Sequence, residues 1–145
     1  MDMSKKEYGQ MVKRASPNSR LLLNCAKAFV VGGLICTLGQ VLYGIFAAMG
    51  ANRDMAGMLV AISLIFMAVL ATGIGKYDNL VKFGGAGASV PITGFANAVA
   101  APAIEFKKEG YIMGVGAKMF LIAGPVIVYG TLASMIVGFI YYFTR

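Results

Sequence analysis

The residues of this chain best suited to chemistry gather in one stretch. FGGAGASVPITGFANAV, Phe83 to Val99, sets Ser89, Pro91, Thr93 and Asn97 among Gly84, Gly85, Gly87 and Gly94, without a single charge. Proline removes a backbone donor and frees a carbonyl, and glycine at this density lowers the cost of unwinding, so a broken helix is expected. Pro91 suits the first turn of a new helix, with Ser89 two residues earlier as a cap. The free N–H groups of such a start carry partial positive charge, and Thr93 and Asn97 add polar groups on the following turns. That chemistry is the holding of an anion. The same glycines also suit close packing between helices, and both readings stand on sequence alone.

Other chemistries lack their residues. There is no histidine, which removes the commonest general base and metal ligand. No phosphate loop with its lysine, no zinc spacing and no nucleophile paired with a base is present, and Gly114 with Gly116 makes only a G-x-G. No catalytic residue, metal site or cofactor is therefore expected, and the chain does not read as an enzyme. Cys25 and Cys36, eleven residues apart, would lie about 16 Å apart along one helix, beyond disulfide reach.

The elements that position the stretch belong to a membrane protein. Of 145 residues 59% are hydrophobic and 13% charged, with mean hydropathy +0.75, whereas a globular domain is about half apolar and about a quarter charged. One all-α membrane domain over residues 25–145 is expected, preceded by a basic arm over 1–24. The net charge of +7 does not imply nucleic acid, because Lys5, Lys6, Lys13, Arg14, Arg20 and Lys27 all precede the first long apolar run. That asymmetry places the N-terminus in the cytoplasm. The run begins too late and extends too far for a cleavable signal peptide.

Two charge-free runs, Ala28–Met49 (22 residues) and Ala56–Gly75 (20 residues), are each long enough to cross a hydrocarbon core of about 30 Å. Arg53 and Asp54 mark the turn between them, and GKYDNLVK, Gly75–Lys82, reads as a cytoplasmic loop. The broken segment covers 83–104, and the charged turn EFKKEG, Glu105–Gly110, follows it. The last apolar run reads as an interfacial lead-in to about Lys118 and a span over about 119–143, bent or started afresh near Pro125. Three to four membrane segments result, closed by the aromatic anchor Tyr141–Phe143.

The first and last spans echo one another. AKAFVVGGLICTLG (26–39) and AKMFLIAGPVIVYG (117–130) align without gaps, matching Lys27 with Lys118, Phe29 with Phe120 and Gly33 with Gly124. If 83–104 crosses the membrane, this is an inverted repeat of the kind found in transporters; if it dips and returns, the two spans run parallel. Its length favours crossing, and the charges of Lys76, Lys82, Lys107 and Lys108 favour re-entry. Gly130, Ser134 and Gly138 form one stripe of small residues and Ala28, Gly32 and Cys36 another, both read as helix-packing faces; Gln40 reads as an interhelical hydrogen-bonding group. Lys27 and Lys118 are placed to snorkel to an interface, and Glu105 could guard an entrance.

NCAKAFVVGGLICTLGQ, FGGAGASVPITGFANAV and the charged turn followed by GVGAKMFLIAGPVIVYGT, in that order and spacing, resemble the SpoVAC/SpoVAE-type family of sporulation membrane proteins. The resemblance runs from about Asn24 to the C-terminus, and the basic arm fits the SpoVAC branch. Pro125 stands where a polar residue is expected in relatives, so no polar role falls on that position.

The resemblance implies a channel-forming or transport subunit of the SpoVA complex in the spore inner membrane. That complex moves dipicolinic acid, with calcium, into the forming spore and releases it at germination, and opening under membrane tension has been proposed for such subunits. SpoVAD, which binds dipicolinate, and a SpoVAE-type membrane subunit are the implied partners. Dipicolinate is a small dicarboxylate, chemically apt for a broken helix start. Three or four short helices cannot enclose a path for it, so a homo- or hetero-oligomer is expected. The rival reading is a non-conducting scaffold or sensor that holds SpoVAD at the membrane.

Overall fold

The computed structural model describes residues 7, 8, 11, 12 and 20–144. Most of the basic arm lies outside them, although residues 7, 8, 11 and 12 are helical. Among the described residues there is helix and no strand. Three helices are long and apolar enough to cross a membrane: Leu21–Ala48 (α1), Arg53–Gly73 (α2) and a continuous run Tyr111–Thr144 that contains α6, Ala117–Thr144. Between α2 and that run lie α3 (Tyr77–Gly84), α4 (Ala86–Ser89) and α5 (Ile92–Glu105).

The helices begin earlier than the charge-free runs that announce the spans. α1 starts at Leu21, seven residues before Ala28. Its first turns, LLLNCAK, consist largely of good helix formers, and a charge stops burial in hydrocarbon without stopping a helix. α1 is thus about 42 Å long, more than a bilayer core requires. α2 starts at Arg53 because Asn52 caps it, its side chain accepting from the Met55 amide at 2.8 Å, with Asp54 favourably placed in the first turn.

Both helices of this hairpin stop in the same way. The Gly50 amide bonds Ala47 O and the Ala51 amide bonds Phe46 O; at the end of α2, Gly75 bonds Thr72 O and Lys76 bonds Ala71 O. These paired bonds form Schellman closures, and the glycines supply the positive φ they need, +90° at Gly50 and +72° at Gly75. Gly39 on α1 faces Val60 and Leu64 of α2, joining the two helices near their middles.

GKYDNLVK is not the simple water-exposed loop that its charges suggest. It folds into most of α3, with Asp78 and Lys82 paired at 2.6 Å on an exposed face and Tyr77 buried on the other. Tyr77, Leu80, Val81 and Gly84 stand at helical spacing, which is the pattern of a one-sided helix.

The last helix also departs from expectation. It does not restart at Pro125, which sits inside a continuous α6. The interruption falls earlier, at a 3₁₀ turn Phe106–Glu109, Gly110 with φ +94°, and one π-helical turn Tyr111–Gly116. Gly114 permits this tight passage, since a Cβ there would meet Phe106 O at 2.7 Å. From Pro125 to Thr144 every residue of α6 is exposed, so this half leaves the rest of the chain uncovered.

Candidate functional site

The broken segment is built by two interruptions. Gly85 adopts φ +52° and ψ −126°, a conformation that L side chains rarely take, and this separates α3 from α4. Pro91, at φ −60° and ψ 167°, is the extended residue that precedes α5. Ser89 does not cap that helix: its hydroxyl turns back to Gly85 O at 3.1 Å, because the short turn α4 offers a nearer acceptor. The Gly94 and Phe95 amides bond Pro91 O at 2.8 and 3.2 Å, so the proline carbonyl closes the first turn.

Packing explains three of the glycines. A Cβ on Gly84 would lie 2.8–2.9 Å from the Val31 side chain, and one on Gly87 would overlap the Ala28 carbonyl. Gly32 faces the Gly87 backbone at 3.4–3.5 Å. Ala28 and Gly32 therefore receive Gly87 directly, while Cys36, third in their stripe, is exposed and free. Gly94 fits beneath the Ser89 carbonyl, which a Cβ would also overlap.

Polar side chains then tie α3 to α4 and α2 to α5. The Tyr77 phenol donates to Ala88 O at 2.9 Å, and burial pushes its pKa above the ordinary value of 10.0, so it stays a neutral donor. Thr72 on α2 donates to Asn97 Oδ1 at 2.8 Å and to Ala68 O at 2.7 Å. One hydroxyl proton cannot be given in full to two acceptors, so both contacts are complete when it goes to Ala68 O and the Asn97 amide is turned to donate through Nδ2 to Thr72 Oγ1. Asn97 is thus committed to α2.

Thr93 differs from all of these. It is 6% exposed, and its Oγ1 makes no hydrogen bond. The Tyr77 phenol beside it feels this hydroxyl, which lowers the phenol's pKa against the larger effect of burial, although the pair falls short of full hydrogen-bond geometry. The hydroxyl lies at a cavity of about 180 Å³ whose other walls include Ile35, Leu38, Leu64 and Ala68. An unpaired buried hydroxyl costs about 1–3 kcal/mol, so it is the least satisfied polar group of this site.

α5 carries the chain away from the Gly75 end. Asn97 sits beside Thr72, whereas Ala103 and Ile104 share a cleft with Ile65, a residue further back along α2. Over its 14 residues α5 travels about 21 Å.

Lys27 and Lys118, matched by the sequence echo, stand near the two ends of the segment. Lys27 lies over the Phe83 ring at 5.0 Å and Lys118 over the Phe106 ring at 4.7 Å. Glu105, at the close of α5, is exposed, as is Gln40 on α1. Gly130 and Gly138 meet nothing within 4 Å, and Ser134 shares their exposure on the outer half of α6. Tyr77, Thr72 and Val31 are site residues that the motif reading passed over. Only Tyr77 had a legible signal, the apolar spacing within α3.

Residues 24–140 match the SpoVAC/SpoVAEB sporulation membrane protein family. The chain is 46% identical over 137 residues to Stage V sporulation protein AC of Bacillus subtilis (strain 168), covering 94% of this chain and 91% of that relative. No solved structure matches it.

Proposed function

The chain belongs to the SpoVAC/SpoVAEB family of sporulation membrane proteins, and on that premise we propose that it is a non-enzymatic channel or transport subunit for dipicolinic acid with calcium. It works in the spore inner membrane, N-terminus in the cytoplasm, within a SpoVA complex that includes SpoVAD and a SpoVAE-type subunit. Uptake in sporulation and release in germination use the same subunit, with membrane tension as the opening stimulus. The observation that carries the reading is the interrupted helix whose inward-facing start leaves Thr93 Oγ1 buried and unpaired. Non-helical backbone at membrane depth is tolerated where protein or a water-filled cavity surrounds it. Gly85, Ala86, Ser89 and Val90, on the outer side of the interruption, are exposed, which suits a path completed by neighbouring subunits.

One observation favours the scaffold reading instead. The cavity at Thr93 is walled by apolar side chains apart from Tyr77 and Thr93 itself, and offers no cation to a dicarboxylate. Dipicolinate flux in sealed vesicles, with the protein alone and with its partners, separates the two. A transport subunit loses flux in Thr93→Val and Asn97→Leu at matched assembly. A scaffold keeps flux in both variants, or supports none in any combination.

A further inference from the structure

A second cavity, of about 400 Å³, opens between the start of α1 and the bend from α3 to α4. Its volume falls in the range of about 300–1,000 Å³ usual for small-ligand sites. Asn24 and Lys27 contribute from α1, and Lys82, Phe83 and Gly85 from the opposite wall. Two lysines from separate helices thus line one space.

Each lysine has a partner within the chain. Lys27 is half-buried, with its ammonium 5.0 Å from the centre of the Phe83 ring. Lys82 is tied to Asp78 at 2.6 Å, one helical turn away, and Asp78 does not border the cavity. Two ammoniums and one carboxylate leave a net charge of +1 on the three groups. Asn24 adds an amide that can donate without charge. Gly85 carries no side chain at the rim, and its positive φ disfavours any replacement there.

From this arrangement we infer that the cavity binds an oxyanion, a carboxylate or phosphate group, between Lys27 and Lys82 with Asn24 as the neutral donor. Anionic lipid headgroups are one source of that group, and a free dicarboxylate is the other. The dicarboxylate source rests on the transport reading, whereas the lipid source is independent of it.

Full-length protein in nanodiscs tests both sources. In phosphatidylcholine discs, dipicolinate is titrated by calorimetry; in discs that also contain phosphatidylglycerol, co-released lipid is counted by native mass spectrometry. Saturable binding is expected in at least one arm. It should weaken tenfold or more in Lys27→Gln and in Lys82→Gln, and persist in Lys27→Arg, in Lys82→Arg and in Lys107→Gln, which lies outside the cavity. Lys82 is exposed, so its substitution leaves a folded protein to measure. Absence of saturable binding in both arms, or binding indifferent to both glutamine variants, overturns the site. Flux without binding discards this site and keeps the transport reading; lipid binding without flux does the reverse.

Discussion

Thr72 and Asn97 fasten the end of α2 to the beginning of α5 across 25 residues of sequence, through a 2.8 Å hydrogen bond. Between them the chain passes through α3, α4 and both interruptions. The bond therefore closes the loop that contains the candidate site.

Hydrogen bonds between membrane helices contribute about 0.6 kcal/mol on average and about 1.7 at most. Thr72→Val and Asn97→Leu should each lower unfolding free energy by an amount in that range. The double variant should lose little more than the worse single one, because each change removes the same bond. Denaturant titration in mixed micelles measures all three proteins. Fully additive losses would mean that the two side chains act separately.

The glycines divide into those that pack and those that do not. A Cβ on Gly87 runs into the Ala28 carbonyl, a backbone atom that cannot rotate away, whereas one on Gly138 meets nothing. Gly87→Ala should cost at least the 1–3 kcal/mol typical of overpacking, with separation of α4 from α1. Gly138→Ala should leave the unfolding free energy of the isolated chain level or raise it by up to about 1 kcal/mol, since alanine is the better helix former. If the outer half of α6 forms a subunit contact, that variant changes assembly alone, read by crosslinking. Equal destabilisation by the two variants would contradict the division.

The three spanning helices were legible because hydrocarbon imposes a long apolar run and little else. Their ends were less so: Leu21 to Lys27 continue α1 despite Asn24 and Lys27, since a polar side chain marks a depth and not a helix terminus. The break at Gly85 and Pro91 was visible in residue type. What Gly84 and Gly87 do was not, because close approach depends on Val31 and Ala28, more than fifty residues earlier. Ser89 was misplaced for a local reason, as its hydroxyl bonds the carbonyl one turn behind it, Gly85 O, which also accepts from the Ala88 and Ser89 amides. Lys27 and Lys118 were paired by the echo, but their phenylalanine partners lie outside the echoing segments and needed the fold.

Thr93→Val separates stability from function at one atom. The substitution keeps the shape and removes a hydroxyl that has no partner, so unfolding free energy should stay level or rise by up to about 1 kcal/mol. The transport reading expects flux to fall in the same variant. A marked loss of stability would show instead that Oγ1 is satisfied in the membrane, by water or by a neighbouring subunit.

Tyr77→Phe tests the remaining fastening and its pH dependence. Below pH 10 the wild type keeps a phenol that donates to Ala88 O, and the variant leaves that carbonyl unpaired beside a fully buried residue, a loss of about 0.5–1.5 kcal/mol. Burial raises the folded-state pKa of the phenol above the ordinary 10.0, so the folded protein retains this proton after the unfolded chain has lost it. Stability linked to the group is therefore complete below pH 10 and declines as pH rises from there through the folded-state value. The difference between wild type and Tyr77→Phe should be constant from pH 7 to 9 and should shrink above pH 10. Unfolding titrations of both proteins over that range read the difference directly, with the other tyrosines and the lysines cancelling in the comparison. A difference that stays constant above pH 10 would give the folded phenol the ordinary pKa, place it in contact with water and remove it from the site.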